Sequence, residues 1–435
     1  MPNIVTTRLS YFTAEQFKES ISEQANSKLY MFIARPQPWE VANKPPTPVN
    51  VEGLQYECWD TMIGLKRISA SDSQFVVRRI NWRKFSVYTP YDDRDPLIYT
   101  KPFYVMTKDY RVYKCIDNYG GLQSLFEPTS TSLEIFTMQD GYKWKYLYTI
   151  NPANQIRFLT RNWMPVVTDD EVKDNAVDGT IERVAATIKG SGYTYANTIL
   201  TVVGDGANAT VLPEIVNNKI EGYIVSDKGT NYRYANLVIS TSDVITSKAE
   251  ARIIISPKGG HGYDPVSELG AQYVMLNARF EYDDGAGDIP INTDFRVLGV
   301  IKDPLLYNGS IAENVTLNTN YTLSITTLSG TFVNDEFING VTSLANGYIV
   351  VSRVASGTTP ATIRYIQAHN FTSNYISFKV GETITGSVSG ATARINNIYL
   401  PEVKHDTGDV LYIENLTPIT RSVDQTEGVH LVIKF

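Results

Sequence analysis

The sequence predicts a mainly β fold: a β-rich core assembled from three separated segments, a few short helices in loops, and two small β-domains inserted between the core segments. Three observations lead there. From Phe103 onward, short β-branched and aromatic runs follow one another, and Tyr110-Arg-Val-Tyr-Lys-Cys-Ile116 alternates with the period of a strand. Further on the chain repeats itself, Gly190-Ser-Gly-Tyr193-Thr-Tyr195-Ala196-Asn197 returning as Gly229-Thr-Asn-Tyr232-Arg-Tyr234-Ala235-Asn236, each copy followed by an apolar strand. A different pattern repeats later: Phe332-Val-Asn-Asp-Glu336-Phe-Ile-Asn-Gly340 is echoed by Phe378-Lys-Val-Gly-Glu382-Thr-Ile-Thr-Gly386. Two copies make a compact β-domain rather than a solenoid. Loop closure grows slowly with length, so such insertions are tolerated.

The division that follows is core at 1–185, an inserted β-domain at 186–256, core at 257–318, a second inserted β-domain at 319–398, and closing core strands at 399–435. A helix is expected over residues 13–24, with Thr13 and Gln16 placed as a capping box and Phe17 and Ile21 four apart on one face. Leu29-Tyr-Met-Phe-Ile33 reads as a strand buried on both sides. Residues 35–50, with Pro36, Pro38, Pro45, Pro46 and Pro48, are too proline-rich for a helix or central strand and should form an extended arm anchored by Trp39. A second helix is expected at Cys58-Trp-Asp-Thr-Met-Ile-Gly-Leu65. Residues 141–150 alternate Tyr142, Trp144, Tyr146 and Tyr148 with Lys143, Lys145 and Leu147, an aromatic face that belongs in a core. The closing stretch reads as two short strands joined by a polar turn around Asp424-Gln-Thr-Glu427, a hairpin completing a sheet begun upstream.

Composition narrows the function. At 435 residues the chain exceeds one ordinary core. A net charge of −7 argues against nucleic acid as the main partner, because neutralising phosphates needs a basic face; Arg78, Arg79, Arg83 and Lys84 are the best local candidates for one. No run of 18 apolar residues occurs, so membrane insertion is not expected, and the N-terminal stretch lacks the apolar core of a signal peptide. Two cysteines, Cys58 and Cys115, make neither a disulfide framework nor a metal cluster. Twenty-eight tyrosines suggest surfaces meant to be covered, since tyrosine offers wide amphipathic contact at low entropy cost.

Local catalytic patterns are missing from the chain, while a carboxylate pair for glycoside hydrolysis need not be near in sequence and stays open. The histidines, His261, His369, His405 and His430, lack metal-ligand spacing and read as structural. Gly259-Gly-His261-Gly reads as a tight turn whose exit Pro265 fixes. Asp283, Asp284 and Asp288 cluster oxygens without an ordered calcium-loop pattern, which favours a solvated turn over a cation site. No catalytic residue, cofactor or metal is assigned. The anchors of a core or interface are expected at Trp39, Trp59, Tyr142, Trp144 and Tyr412.

Six stretches, in order, resemble a known family. These are Pro38-Trp39; Trp59-Asp-Thr-Met-Ile-Gly64; Arg78-Arg79 with Trp82; Val112-Tyr-Lys-Cys-Ile-Asp117; Asp140-Gly-Tyr-Lys-Trp-Lys-Tyr-Leu147; and the long closing Gly408-Asp-Val-Leu-Tyr412-Ile-Glu414-Asn415 through Pro418 to Asp424-Gln-Thr-Glu427. Together they resemble the baseplate wedge proteins of T4-like contractile-tailed phages, the gene 8 product family. The resemblance covers about residues 1–165, parts of 265–310 and 400–435, and leaves out both repeat-bearing regions. It implies a layered β-sandwich core and a structural, non-catalytic virion protein. It also implies a homodimer that meets other wedge subunits in the tail baseplate after assembly in the host bacterial cytoplasm. A receptor- or glycan-binding tail protein, with the inserted β-domains as heads, is the alternative.

Overall fold

Leu29–Ala34 is buried along its whole length and is the central strand of a five-stranded antiparallel sheet. The computed structural model that shows this describes residues 6–23, 27–280, 289–290, 293–358, 360–368, 376–420 and 428–435. Over these residues the chain is mainly β, with 25 strands and five short to medium α-helices. It divides into two units, one of residues 1–15, 74–275 and 432–435, the other of 16–73 and 276–431.

The second unit holds the five-stranded sheet, in the order Thr316–Leu317, Met62–Ile68, Leu29–Ala34, Phe295–Lys302, Asp409–Ile419. Tyr30, Phe32, Trp59, Leu65, Val297 and Ile301 form its core. Glycine at 299 is required here: a Cβ would lie 2.2 Å from the Phe32 ring and 2.5 Å from the Tyr412 carbonyl oxygen. The proline arm runs without regular structure and lies against the closing strand. Trp39 Nε1 donates to Leu416 O at 2.8 Å, and Asn415 Nδ2 donates to Pro46 O at 2.9 Å. Asp409–Ile419 is an edge strand, and an arm rich in proline blunts the pairing that an open edge invites.

The same unit carries a closed six-stranded barrel, ordered Tyr321–Ser329, Ala361–Ile366, Asn346–Arg353, Phe337–Gly340, Thr383–Gly386, Thr392–Tyr399. The order reads the same after a half-turn, and the Phe-Glu-Gly repeat lies at equivalent places. Equivalent backbone bonds show it: Ile349 N donates to Glu336 O and Ile395 N to Glu382 O, both at 2.9 Å. Leu323, Ile338, Ile349, Ile363, Ile384 and Ile395 fill the interior.

In the first unit, Arg111–Asp117 and Lys143–Thr149 pair centrally in a four-stranded sheet packed on Tyr88, Tyr113, Tyr142 and Trp144. Both strands are covered on both faces, so the alternation seen in the sequence does not mark a solvent side. Val76–Arg78 pairs with Trp163–Pro165, and Val76, Phe158 and Met275 pack within this unit. The Tyr-rich repeat forms three antiparallel ribbons, Ile181–Ile188 with Glu250–Ile255, Ala207–Val216 with Lys219–Thr230, and Thr198–Gly204 with Ala235–Thr241. This too is two-fold. Gly190 and Gly229 both adopt positive φ, and a Cβ at either would lie 2.8 Å from the ring of the tyrosine three residues on.

Three expectations change. The first helix spans Thr7–Ser22, and Thr13 sits inside it, its hydroxyl donating to Leu9 O four residues back instead of capping; Gln24 lies outside the described residues. The second helix, Glu52–Thr61, starts earlier than expected and stops before Met62, because Met62–Ile68 is taken up as the neighbour of Leu29–Ala34. The two closing strands do not form a hairpin: Asp409–Ile419 pairs with Phe295–Lys302, and Gly428–Lys434 enters a different sheet. The turn residues Asp424, Gln425, Thr426 and Glu427 lie outside the described residues.

Candidate functional site

Four of the five expected anchors are enclosed. Trp59 is 2% exposed and stacks obliquely on His405, with ring centroids 5.5 Å apart. Trp39 is held by its bond to Leu416 and by the Arg35 guanidinium 4.1 Å above its ring, and Arg35 is itself ion-paired with Glu57. Tyr142 and Trp144 are fully buried and stacked, and the Tyr142 hydroxyl reaches the Tyr88 backbone N–H at 3.3 Å. Tyr412 is half-buried on the edge strand, its hydroxyl donating to Glu414 at 3.0 Å.

The most concentrated buried charge lies elsewhere, in the first unit. Lys114 Nζ sits 2.7 Å from Glu268 Oε1, 3.2 Å from His261 Nδ1 and 3.4 Å from the centre of the Tyr91 ring. His261 Nδ1 is 2.8 Å from Glu268 Oε1, and Gly262 N donates to Glu268 Oε2 at 2.7 Å. An ammonium group and a carboxylate already face each other, so the neutral imidazole satisfies the set by donating from Nδ1 to Glu268. Gly259, Gly260 and Gly262, all at positive φ, fold the turn that carries His261, and Pro265–Leu269 delivers Glu268. The cluster ties the Lys114 strand to that turn.

The electrostatics follow from burial. Removal from water pushes the Lys114 amine down to about 8, opposed by Glu268. Burial also raises the Glu268 carboxyl, but Lys114 and His261 outweigh it and hold the group at about 2. His261 is shifted downward by burial and by Lys114, and stays neutral. A lowered carboxyl contributes stability that is complete above its unfolded value and lost as pH falls through its folded one. The first unit should therefore lose stability between about pH 4.5 and pH 2, and a Glu268→Gln variant should lose less over that window. Urea midpoints taken across the window check this; equal acid slopes for the two proteins would contradict it.

Nothing local in the sequence points to this cluster, because its members lie 147 and 154 residues apart from Lys114. His405 is also structural, donating from Nε2 to Thr319 O at 3.0 Å, whereas His430 is exposed. His369, Asp283, Asp284 and Asp288 lie outside the described residues. Among the described residues no group of three or more His, Cys, Asp or Glu is placed to hold a metal ion, and no helix is long and apolar enough to cross a membrane, which says nothing of β-barrels.

The exposed features are different. On the ribbon of Thr198–Gly204 and Ala235–Thr241, Ile199, Val203 and Val238 face outward. Tyr195 and Tyr234, at equivalent places in the two repeats, are 64% and 60% exposed. Carboxylates fix the turns beside them: Asp205 Oδ1 accepts from Arg233 N and Tyr234 N at 2.9 and 3.1 Å, and Asp243 Oδ2 accepts from Thr194 N at 2.7 Å. The arrangement presents a rigid, partly aromatic face. No protein-family model matches this chain, and no curated protein matches it.

Proposed function

We propose that the chain is a structural subunit of a contractile phage tail baseplate wedge, a homodimer that bridges other wedge proteins during baseplate assembly and infection-triggered rearrangement. The observation that carries the reading is where the resembling residues fall. Trp39, Trp59, Val112, Tyr113, Cys115, Tyr142, Trp144 and Leu147 are buried. These are core positions, and a core sets a fold; they leave the outer surface to differ between relatives. The role needs no catalytic step and no cofactor. It needs broad faces that partners cover, and the outward Ile199, Val203, Val238, Tyr195 and Tyr234 offer one.

Expressed alone, the chain should be a dimer by light scattering, and expressed with the other baseplate subunits it should co-purify in a defined low copy number. A stable monomer that joins no wedge complex would sink the proposal. Binding to purified cell-envelope glycan, lost on combining Tyr195→Ala with Tyr234→Ala and without wedge assembly, would favour a receptor-binding tail protein instead.

A further inference from the structure

We propose that an arginine-lined cleft in the first unit docks an acidic, extended polypeptide segment of a partner protein. The cleft, open and of about 730 Å³, is lined by Arg79, Arg83 and Arg161 together with Asn81, Asn162, Val87 and neighbouring residues, none of them acidic. Three arginines line one cleft without a carboxylate in a chain whose net charge is −7.

The backbone places them. Ser73–Arg78 pairs with Trp163–Pro165, and the ladder runs one step further as Arg79 N donates to Asn162 O at 2.8 Å. This brings Arg79 beside Arg161. The chain then crosses to the next sheet, where Trp82 N donates to Met106 O at 2.9 Å. Tyr88 clasps the following loop, its hydroxyl accepting from Arg83 N at 2.6 Å and donating to Arg83 O at 3.3 Å.

The side chains are ready for an anion. Arg79 is braced by bonds from Nε to Asn81 Oδ1 and from Nη1 to Thr160 O, both at 2.9 Å, which leaves Nη2 for a ligand. Arg83 and Arg161 are exposed, and among the described residues neither guanidinium has an ion-pair partner. A planar fork with two parallel donors matches a carboxylate. Holding the backbone and one guanidinium in place beforehand lowers the ordering cost of binding.

The same observations favour a polypeptide over a nucleic acid. Three cations are fewer than a phosphate backbone engages, and the rest of this acidic chain repels one. Base stacking needs an exposed ring, whereas the one aromatic residue lining the cleft, Tyr88, is 3% exposed with its hydroxyl committed to the loop. Ile80, Val87 and Pro102 supply apolar wall against which an extended segment packs.

The inference extends the assembly reading by naming the chemistry of a partner segment, and its test does not require assembly. The full chain is titrated into three labelled probes, read by fluorescence anisotropy: a short glutamate-rich peptide, the same peptide with each glutamate replaced by glutamine, and a thymidine oligomer of matched charge. The glutamate peptide should bind at least about tenfold more tightly than either other probe, with an affinity that falls as salt rises. Combining Arg83→Gln with Arg161→Gln should weaken it by about tenfold or more, while Lys379→Gln, in the other unit, should leave it unchanged. Both arginines are exposed, so circular dichroism of the double variant should match the parent. Absence of peptide binding, tighter binding of the oligomer, or an unaffected double variant overturns the inference. Failure of wedge assembly with peptide binding intact would overturn the assembly reading alone.

Discussion

Glu268→Gln is expected to destabilise the first unit by about 3–5 kcal/mol, the usual cost of removing one partner from a buried ion pair. The side chains of Lys114 and Glu268 are 0% and 2% exposed, so water cannot replace the lost charge. Glutamine keeps the shape but not the counter-charge, and its amide brings a donor toward either Lys114 Nζ or Gly262 N. His261 Nδ1 also loses a charged acceptor. Two controls separate charge from shape. Adding Lys114→Met to Glu268→Gln should recover much of the loss, because no uncompensated charge then remains buried. In the single variant the Lys114 amine should fall below its present value of about 8. A lysine whose folded value is depressed binds fewer protons folded than unfolded over that range, so stability of the variant should rise with pH through neutrality. Urea denaturation followed by tryptophan fluorescence checks both. A loss below about 1 kcal/mol, typical of an exposed pair, would show that the cluster does not bear on the fold.

Glu382→Ala and Glu336→Ala are each expected to cost the barrel about 3–5 kcal/mol, because each carboxylate accepts four hydrogen bonds and its loss orphans enclosed backbone donors. Glu382 accepts from Lys379 N, Ser343 Oγ, Thr342 N and Ser343 N at 2.6, 2.8, 3.2 and 2.9 Å. Glu336 accepts from Val333 N, Ser389 Oγ, Val388 N and Ser389 N at 2.9, 2.7, 2.9 and 2.9 Å. Each repeat thus caps a turn of the other. Gly340 and Gly386 make room for the caps, since a Cβ there would lie 2.8 and 2.7 Å from the carboxylate oxygens. These bonds favour the charged form and draw both carboxyls below their ordinary range despite burial. The two variants should be alike in thermal unfolding, and a double variant should leave the barrel unfolded. Markedly unequal losses would mean that the halves are not equivalent in energy.

The repeats were legible because their spacing is local: glycines and tyrosines at 190–197 and 229–236, and Phe-Glu-Gly at 332–340 and 378–386, lie within single turns and strands. What each repeated residue does was not. Glu336 and Glu382 look like solvated acids in a polar run, and their burial arises only when Phe337–Gly340 pairs with Thr383–Gly386 and so brings Ser389 to Glu336 and Ser343 to Glu382. Lys114 is a similar case. In the sequence it lies between Val112 and Ile116 on one side of an alternating strand, and Glu268 and His261 arrive from more than 140 residues away to enclose it.

The sequence by itself determined the class of the fold and both duplications, because these follow from periodicity and turn chemistry over a few residues, but it read Met62–Leu65 as helix where the structure has a strand. It also marked Trp59, Tyr142 and Trp144 as residues that a core would take. Only the tertiary structure decided that the closing strands part company, with Asp409–Ile419 beside Phe295–Lys302 and Gly428–Lys434 in another sheet. The same is true of the arginine cleft, where Arg161 reaches Arg79 through a strand ladder. Pairing partners and charge neighbours are set by which surfaces meet, and a strand carries the same alternation whichever neighbour it finds.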